Sequence, residues 1–277
     1  TAVAMPPDAT SGWSLSRWLE WLESGPRGGI EMGLDRVRQV SDRLSIPHAP
    51  TLTVAGTNGK GTCAHFAARL LRAAGLRTGL YTSPHLVDFR ERVLIDGVPA
   101  SEAELLSALH AVEVARQDVV LTYFEHVTLA ALWLFARAGV AVRILEVGLG
   151  GRLDAVNIVD ADVAVITSIG LDHTDWLGDS RDAIGAEKAG VARSGRPLVL
   201  AEQDPPGGLT AALNRIDAMV IGVGSAATVD SVAGKWTYQD DELHMTGLPL
   251  PRQHSAATLR NIAAAMRAVH CMGVQAE

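Results

Sequence analysis

The sequence predicts a doubly wound α/β fold with a mainly parallel sheet and a P-loop-like nucleotide site. From Thr51 onward, short apolar β-prone segments alternate with longer helix-prone segments, as in βαβ units. The strand segments are continuously apolar, which indicates burial on both faces and hence a parallel sheet between two helix layers. A glycine-rich run, GTNGKGT, lies between the first predicted strand and a predicted helix, where unpaired helix amides attract anions.

Residues 1–50 precede this core. They predict an aromatic-rich helix in WSLSRWLEWLES, a glycine-bearing loop, and a second helix from about Asp35 to Leu44. Trp13, Trp18 and Trp21 are expected to pack against neighbouring elements, because large aromatic side chains dominate helix burial.

The α/β core is predicted for residues 51–224. Its strands are expected at TLTVA, TGLYTS, DVVLTYF, VRILEVG, DVAVITSIG, PLVLAE and AMVIGVG. Helices are expected between most of these strands, roughly at 63–74, 102–116, 125–138, 180–192 and 209–215.

Residues 225–277 are predicted to complete the same domain with a small antiparallel element and a helix. KWTYQDDELHMTG contains two short polar-alternating runs around QDD, which is typical of a hairpin or meander. We expect it to cap one edge of the sheet. The final helix is expected from Ala256 to Met272.

Composition narrows the class of protein. The chain has 277 residues, 48% of them hydrophobic, which suffices for a large core in one or two domains. Its 24 Lys and Arg against 31 Asp and Glu give a net charge of −7, which favours neither nucleic acid nor an anionic membrane surface as a partner. Two cysteines fit neither a disulfide framework nor a CxxC metal site, and no signal peptide or transmembrane span is evident. The cytoplasm is the expected location.

The glycine-rich run is a variant of the phosphate-binding loop. It departs from GxxxxGK[ST], because the loop is shorter and Gly61 stands between Lys60 and Thr62. Its glycines still allow backbone amides to approach a phosphate, Lys60 offers a positive charge, and Thr62 could reach a magnesium ion. The alternative is a plain strand-to-helix turn.

Polar residues cluster at four predicted strand ends. Ligands of open parallel sheets bind beyond the carboxyl ends of the strands, so these residues are candidates for one site. They are Ser83 and His85 in YTSPH, Tyr123 and Glu125 in LTYFE, Glu146 in LEVGLGG, and Asp172 and His173 in GLDHTD.

Each of these candidates has a structural alternative. A buried carboxylate at Glu146 calls for a metal or cation, although a salt bridge to Arg152 would also satisfy it. Ser83 could instead cap a turn before Pro84. His173 could be a hydrogen-bonded structural residue, because magnesium prefers oxygen ligands.

Lys188 in AIGAEKAG is a further candidate. The neighbouring Glu187 suggests a solvated ion-pair face. A lysine carbamylated by carbon dioxide would instead carry a carboxylate on a long arm, which could bind or orient magnesium.

Taken together, AGTNGKGT, YTSPHL, LTYFE, LEVGLGGRLDAVN, TSIGLDHTDWLG and EKAG resemble the bifunctional dihydrofolate synthases and folylpolyglutamate synthases, a branch of the Mur ligase family. The resemblance runs from about Ser14 to the end of the chain. It implies a ligase in which ATP phosphorylates the carboxylate of dihydropteroate or a folate, and the amine of L-glutamate then displaces phosphate.

The resemblance also implies roles for individual residues. ATP would contact Asn58, Gly59, Lys60, Gly61, Thr62 and Asn261. Magnesium would be served by Ser83, Glu146, His173 and a carbamylated Lys188, with Lys60, Glu146, His173 and Lys188 forming the catalytic set. The pterin would lie along Gly29, Ile30, Glu31, Met32, Thr122, Tyr123, Phe124, Glu125, Leu153, Asp154 and Ala155, with Phe124 as a stacking surface and Asp154 as a polar anchor.

Three departures from the family pattern stand out. Val156 occupies a position where threonine is common, and Glu31 one where aspartate is common. The C-terminal domain that would hold most of the glutamate site is expected to be absent after Glu277. We therefore expect weak nucleotide binding and little ligation from this chain alone, and a monomer whose partners are small molecules rather than nucleic acid or membrane.

Other functions stay open at this point. A cell-wall Mur ligase is disfavoured, because only 55 residues precede Gly56. A mono-functional folylpolyglutamate synthase, a non-ligase ATP-binding module and a small-molecule kinase are the alternatives. The last two do not require the Ser83, Glu146, His173 and Lys188 set.

Overall fold

A computed structural model of the chain describes residues 12–24, 29–223, 227–230, 234–252 and 254–274, with the backbone alone described for 227–230. In this part of the chain, eight strands form one sheet. They are β1 (Thr51–Ala55), β2 (Thr78–Tyr81), β3 (Val93–Ile95), β4 (Val98–Pro99), β5 (Val142–Glu146), β6 (Val163–Ile166), β7 (Pro197–Leu200) and β8 (Met219–Gly222). Their order is β4-β3-β2-β5-β1-β6-β7-β8, and all neighbouring pairs from β2 to β8 are parallel. The predicted doubly wound, mainly parallel sheet is confirmed.

Helices cover both faces of this sheet. The helices are α1 (Leu15–Glu23), α2 (Asp35–Leu44), α3 (Lys60–Ala73), α4 (Glu102–Arg116), α5 (Tyr123–Ala138), α6 (Thr174–Leu177), α7 (Arg181–Ala189), α8 (Gly207–Ile216) and α9 (Ala256–Cys271). One hydrophobic cluster joins α3 and α9 to one face, and a second joins the other helices to the opposite face. Successive side chains of β5 show the division, since Ile144 belongs to the first cluster and Leu145 to the second.

The tryptophans of α1 pack as expected. Trp18 and Trp21 are buried, and their rings meet edge to face with centroids 5.6 Å apart. Trp13 completes the group, with its ring centroid 6.4 Å from that of Trp18. The lead-in at 1–11 and part of the glycine-bearing loop, 25–28, lie outside the described residues.

The strand predicted at DVVLTYF is wrong. Thr122 is the N-cap of α5, and its backbone amide donates to Glu125 Oε2 at 2.7 Å while its hydroxyl accepts from the amide of Glu125 at 3.3 Å. This capping box satisfies two amides at the helix start, and it outweighs the β propensity of the residues before it. Tyr123, Phe124 and Glu125 therefore lie on the first turn of a helix rather than at a strand end.

An antiparallel hairpin was missed by the sequence analysis. Strands β3 and β4 are joined at Asp96 and Gly97, both of which have positive φ. Asp-Gly between apolar segments favours such a turn, so ERVLIDGVP did contain the pattern.

The hairpin predicted in KWTYQDDELHMTG is confirmed. Strands β9 (Ala227–Asp230), β10 (Lys235–Gln239) and β11 (His244–Pro249) form a second, antiparallel sheet, separate from the large sheet. Trp236 and Tyr238 of β10 are buried in the cluster that contains α3 and α9. Among the helices described, none is long and apolar enough to cross a membrane.

The capping box gives a stability prediction. Thr122→Val keeps the side-chain volume but removes the hydroxyl cap, so we expect a loss of about 1 kcal/mol in the free energy of unfolding. Thr122→Ser keeps the cap and should lose less. Urea unfolding of the three proteins measures the difference, and a valine variant as stable as the parent would show that the cap does not hold the start of α5.

Candidate nucleotide and substrate site

The loop between β1 and α3 can only be built from glycine at two positions. Gly56 and Gly59 have φ of +144° and +82°, in the region that glycine favours. A Cβ on Gly56 would lie 1.9 Å from Thr167 Oγ1, and one on Gly59 would lie 2.0 Å from Asn261 Nδ2. The chain thus passes between β6 and α9 with no room for a side chain, and α3 begins without a side-chain cap.

Hydrogen bonds connect the loop to the residues that follow β6. The amide of Thr57 donates to the carbonyl of Ser168 at 2.8 Å, and the amide of Gly170 donates to Thr57 Oγ1 at 2.9 Å. Asn58 is exposed, and its amide donates to Ser168 Oγ at 3.0 Å. Gly61 and the exposed Thr62 lie on the first turn of α3. All five residues predicted for the ATP phosphates, and Asn261, therefore gather at the start of α3.

Lys60 folds back onto this loop. Its Nζ donates to the carbonyls of Gly56 and Thr57 at 3.1 and 3.3 Å. Loop carbonyls are weak partners compared with a phosphate, so the amine is held where an anionic ligand could take it over.

Lys188 reaches the same carbonyl from α7. Its side chain is 4% exposed, and its Nζ donates to the carbonyl of Gly56 at 3.1 Å. Burial, and then the charge of Lys60, lower the pKa of Lys188 to about 8. The solvated ion-pair alternative is wrong, because Glu187 turns away to pair with Arg152 at 2.8 Å.

Glu146 lies buried at the end of β5. Its Oε2 accepts from the amide of Ser83 at 3.1 Å, and a Cβ on Gly61 would be 3.6 Å from that oxygen. Burial raises the pKa of Glu146, although the charge of Lys60 and two backbone amides oppose this. The alternative of a salt bridge to Arg152 is also wrong, because Arg152 pairs with Glu187.

A cavity of about 530 Å³ opens beside Lys60. Lys60, Ser83 and His173 line it, together with Arg92 and Asp172. Every residue predicted for the pterin also lines it: Gly29, Ile30, Glu31, Met32, Thr122, Tyr123, Phe124, Glu125, Leu153, Asp154 and Ala155. Segments far apart in the sequence thus meet at one rim of the sheet, as predicted for parallel strands.

The lining combines aromatic surface with a few fixed polar groups. The ring of Phe124 lies against Gly148, where a Cβ would be 2.5 Å from the ring, and its centroid is 6.1 Å from that of Tyr81. Asp154 is buried and accepts from the amides of Leu149 and Val156 at 2.8 and 3.0 Å. Burial raises the pKa of Asp154 to about 6. Such a cavity suits a flat, polar-edged ring.

Two further acids of the cavity are joined by one arginine. Arg36 donates to Glu125 at 2.8 Å and to Glu31 at 2.5 Å. Glu125 therefore caps α5 with one oxygen and holds the N-terminal segment with the other.

Glu146 lines a smaller adjoining cavity of about 310 Å³ instead. Ser83 and Pro84 line both cavities. His173 is half-exposed, with φ of +50°, and its Nε2 lies 3.7 Å from Asp172 Oδ2. The four residues predicted to serve magnesium thus do not line one cavity. Ser83 and His173 line the larger one, Ser83 and Glu146 line the smaller one, and Lys188 lines neither but contacts the carbonyl of Gly56.

Arg92 was not found from the sequence. It is 8% exposed and lines the 530 Å³ cavity. It ends a short 3-10 turn at Phe89–Arg92, and no periodicity or glycine pattern in FRERV indicates that this arginine is directed inward.

Comparison with known proteins gives a consistent result. Residues 54–259 match the model of the Mur ligase middle domain. The chain is 45% identical over 260 residues to the dihydrofolate synthase/folylpolyglutamate synthase of Escherichia coli strain K12, a match that covers 92% of this chain and 61% of that protein.

Solved structures agree in fold. E. coli FolC in complex with DHPP and ADP superposes with a TM-score of 0.91 at 43% identity, covering 98% of this chain and 65% of that one. A bifunctional folylpolyglutamate synthase/dihydrofolate synthase with Mn, AMPPNP and L-glutamate bound gives a TM-score of 0.88 at 46% identity, covering 99% and 65%. The chain spans less than two thirds of the length of these relatives. It belongs to the Mur ligase family.

Proposed function

We propose that this chain is the nucleotide- and pterin-binding part of an ATP-dependent ligase that adds L-glutamate to dihydropteroate and to folates. The proposal rests mainly on one observation: Lys60 of the phosphate loop lines the same cavity as every residue predicted to contact the pterin. In support, one relative has been solved with DHPP and ADP, and another with AMPPNP and L-glutamate.

In the proposed reaction, an oxygen of the acceptor carboxylate attacks the γ-phosphorus of ATP, and ADP leaves. The amine of glutamate then attacks the acyl carbon, the C–N bond forms, phosphate leaves and the amine loses a proton. The protein contributes position and charge rather than a nucleophile. Lys60 would leave the carbonyls of Gly56 and Thr57 for the phosphates, and the dipole at the start of α3 would add to its charge.

The residues present fit a magnesium ion. Glu146 and Ser83 offer oxygen atoms, the ligand type that magnesium prefers, and the Glu146 carboxylate is bonded only to backbone amides. No group of three His, Cys, Asp or Glu in the described residues could hold a metal alone. Ser83 and Glu146 would therefore hold the ion together with phosphate oxygens, with His173 at the cavity wall. The bound magnesium ion would neutralise part of the phosphate charge.

We also propose that Lys188 is carbamylated. Its neutral amine would attack carbon dioxide, form an N–C bond and release a proton, leaving a carboxylate near Lys60. The change would replace two positive charges at one carbonyl by an ion pair.

We also propose that the protein is cytoplasmic. The cysteines described, Cys63 and Cys271, are free thiols, which supports this location.

The first test is ligation by the full-length protein with ATP, magnesium, L-glutamate and, in separate reactions, dihydropteroate or a folate. We expect dihydrofolate from dihydropteroate and a lengthened glutamate chain on the folate, each with an equal amount of ADP. If only folates are extended, the protein is a mono-functional folylpolyglutamate synthase; if ATP is bound but neither acceptor is extended, the ligase assignment is wrong.

Lys60→Met should weaken binding of AMPPNP with magnesium by roughly tenfold to a hundredfold, because a charge-assisted hydrogen bond to phosphate is lost. Arg69→Met is the matched control, since Arg69 is an exposed cation on the same helix. Isothermal titration calorimetry measures both variants. Equal affinities for Lys60→Met and the parent would exclude Lys60 as a phosphate ligand.

The pKa of Lys188 gives a pH prediction. Because that pKa is about 8, the neutral amine becomes abundant as the pH rises through 8, and ¹³C-bicarbonate should label the chain by NMR more strongly at pH 8.5 than at pH 7. Lys188→Arg should remove the carbamate signal. A signal that persists in this variant, or none in the parent, would contradict the proposal.

A further inference from the structure

The cavity wall contains a buried arginine without a counter-ion. Four arginines described are less than a tenth exposed: Arg92, Arg116, Arg143 and Arg267. Arg116 pairs with Glu113, and Arg267 pairs with Asp240 and Glu242. Arg143 donates to the backbone carbonyls of Pro47 and Ala49, just before β1.

Arg92 differs from these three. Its Nε donates to Nδ1 of His85 at 2.9 Å, and its guanidinium carbon lies 5.7 Å from the ring centres of Phe89 and Tyr123. Among the described residues, no carboxylate lies within 4 Å of it, and its two Nη groups have no hydrogen-bond partner. Aromatic faces and one imidazole position this guanidinium without neutralising it.

The acidic residues of the cavity are already engaged. Glu31 and Glu125 pair with Arg36, and Asp154 accepts from backbone amides. Asp172 accepts from the amide of His173. A buried arginine that none of these acids neutralises is costly unless a ligand brings its own negative charge.

The chemistry of the guanidinium indicates which ligand group this is. Arginine presents paired N–H donors that match both oxygens of a carboxylate, whereas Lys60 is a point charge committed to the phosphate loop. Arg92 also lies near the reacting end of the cavity, because its carbonyl accepts from the amide of Thr82 at 3.0 Å, next to Ser83, and its side chain lines the same cavity as Lys60.

We propose that Arg92 binds the acceptor carboxylate that is to be phosphorylated, through its two Nη groups, and so orients one oxygen toward the nucleotide. The inference rests on the proposed function. It makes Arg92 a substrate-binding residue outside the set implied by the family resemblance, and gives the Phe89–Arg92 turn the role of carrying it.

The test compares dihydropteroate with its carboxamide, a ligand of nearly the same shape that lacks the negative charge and one acceptor oxygen. The parent protein should bind dihydropteroate more tightly. Arg92→Met should weaken dihydropteroate roughly tenfold to a hundredfold and leave the carboxamide unchanged, so that the preference disappears. Arg90→Met is the matched control, because Arg90 is exposed on the same turn and pairs with Asp88; it should keep the parent's preference.

Arg92→Lys covers the case in which Arg92→Met fails to fold. It keeps the charge and the aliphatic stem but loses the paired donors, so we expect an intermediate loss for dihydropteroate and none for AMPPNP. Unchanged preference for the carboxylate in either variant overturns the role of Arg92 and leaves the ligase proposal intact. Failure of the parent to bind either pterin overturns the proposed function itself, and this inference with it.

Discussion

Two lysines share one carbonyl oxygen, and the arrangement of the site depends on that contact. Lys60 and Lys188 approach Gly56 from different helices and donate to the same atom at 3.1 Å. A partly buried pair of like charges is unfavourable, so the local structure favours whatever adds negative charge: a phosphate on Lys60, a neutral amine or a carbamate at Lys188. Gly56 can serve as the common acceptor because its positive φ directs the loop against Thr167, where no Cβ fits. The same backbone requirement that shapes the phosphate loop thus brings the two amines together.

The charges of the neighbouring cavity are distributed in a complementary way. Its acids are held by Arg36 or by backbone amides, which leaves the buried Arg92 as a cation in the cavity lining without a carboxylate partner. Glu146 lines the adjoining 310 Å³ cavity together with Ser83, and its carboxylate could still bind a metal. A nucleotide at the start of α3 and an acidic acceptor in the 530 Å³ cavity would therefore meet with positive charge on both sides of the reacting atoms. Topology makes this possible, since β1, β2, β5 and β6 are parallel neighbours whose carboxyl ends share one rim.

Much of this could be predicted from the sequence, for identifiable reasons. Continuous apolar strands and a glycine run specify the parallel core and its loop almost without tertiary information, and the bounds of α2 and α4 agree with the prediction. The DVVLTYF strand failed because β propensity was weighed above the capping box formed by Thr122 and Glu125, although both residues were visible. The β3–β4 hairpin was overlooked despite its Asp-Gly turn.

Arg92 could not be found by pattern, because the burial of a charge depends on how Phe89, Tyr123 and His85 meet in space. For the same reason the partner of Arg152 was misassigned: Glu187 is available to it only once α7 packs beside the 148–155 loop.

The central claim is that nucleotide and acceptor occupy one rim, with the γ-phosphate and the acceptor carboxylate in reach of each other. A crystal structure of the protein with AMPPNP, magnesium and dihydropteroate measures this most directly. The account predicts the γ-phosphate at Lys60, the pterin beside Phe124 and Asp154, and a carboxylate oxygen about 3 to 3.5 Å from the γ-phosphorus. A pterin bound outside the 530 Å³ cavity, or a triphosphate directed away from it, would contradict the account.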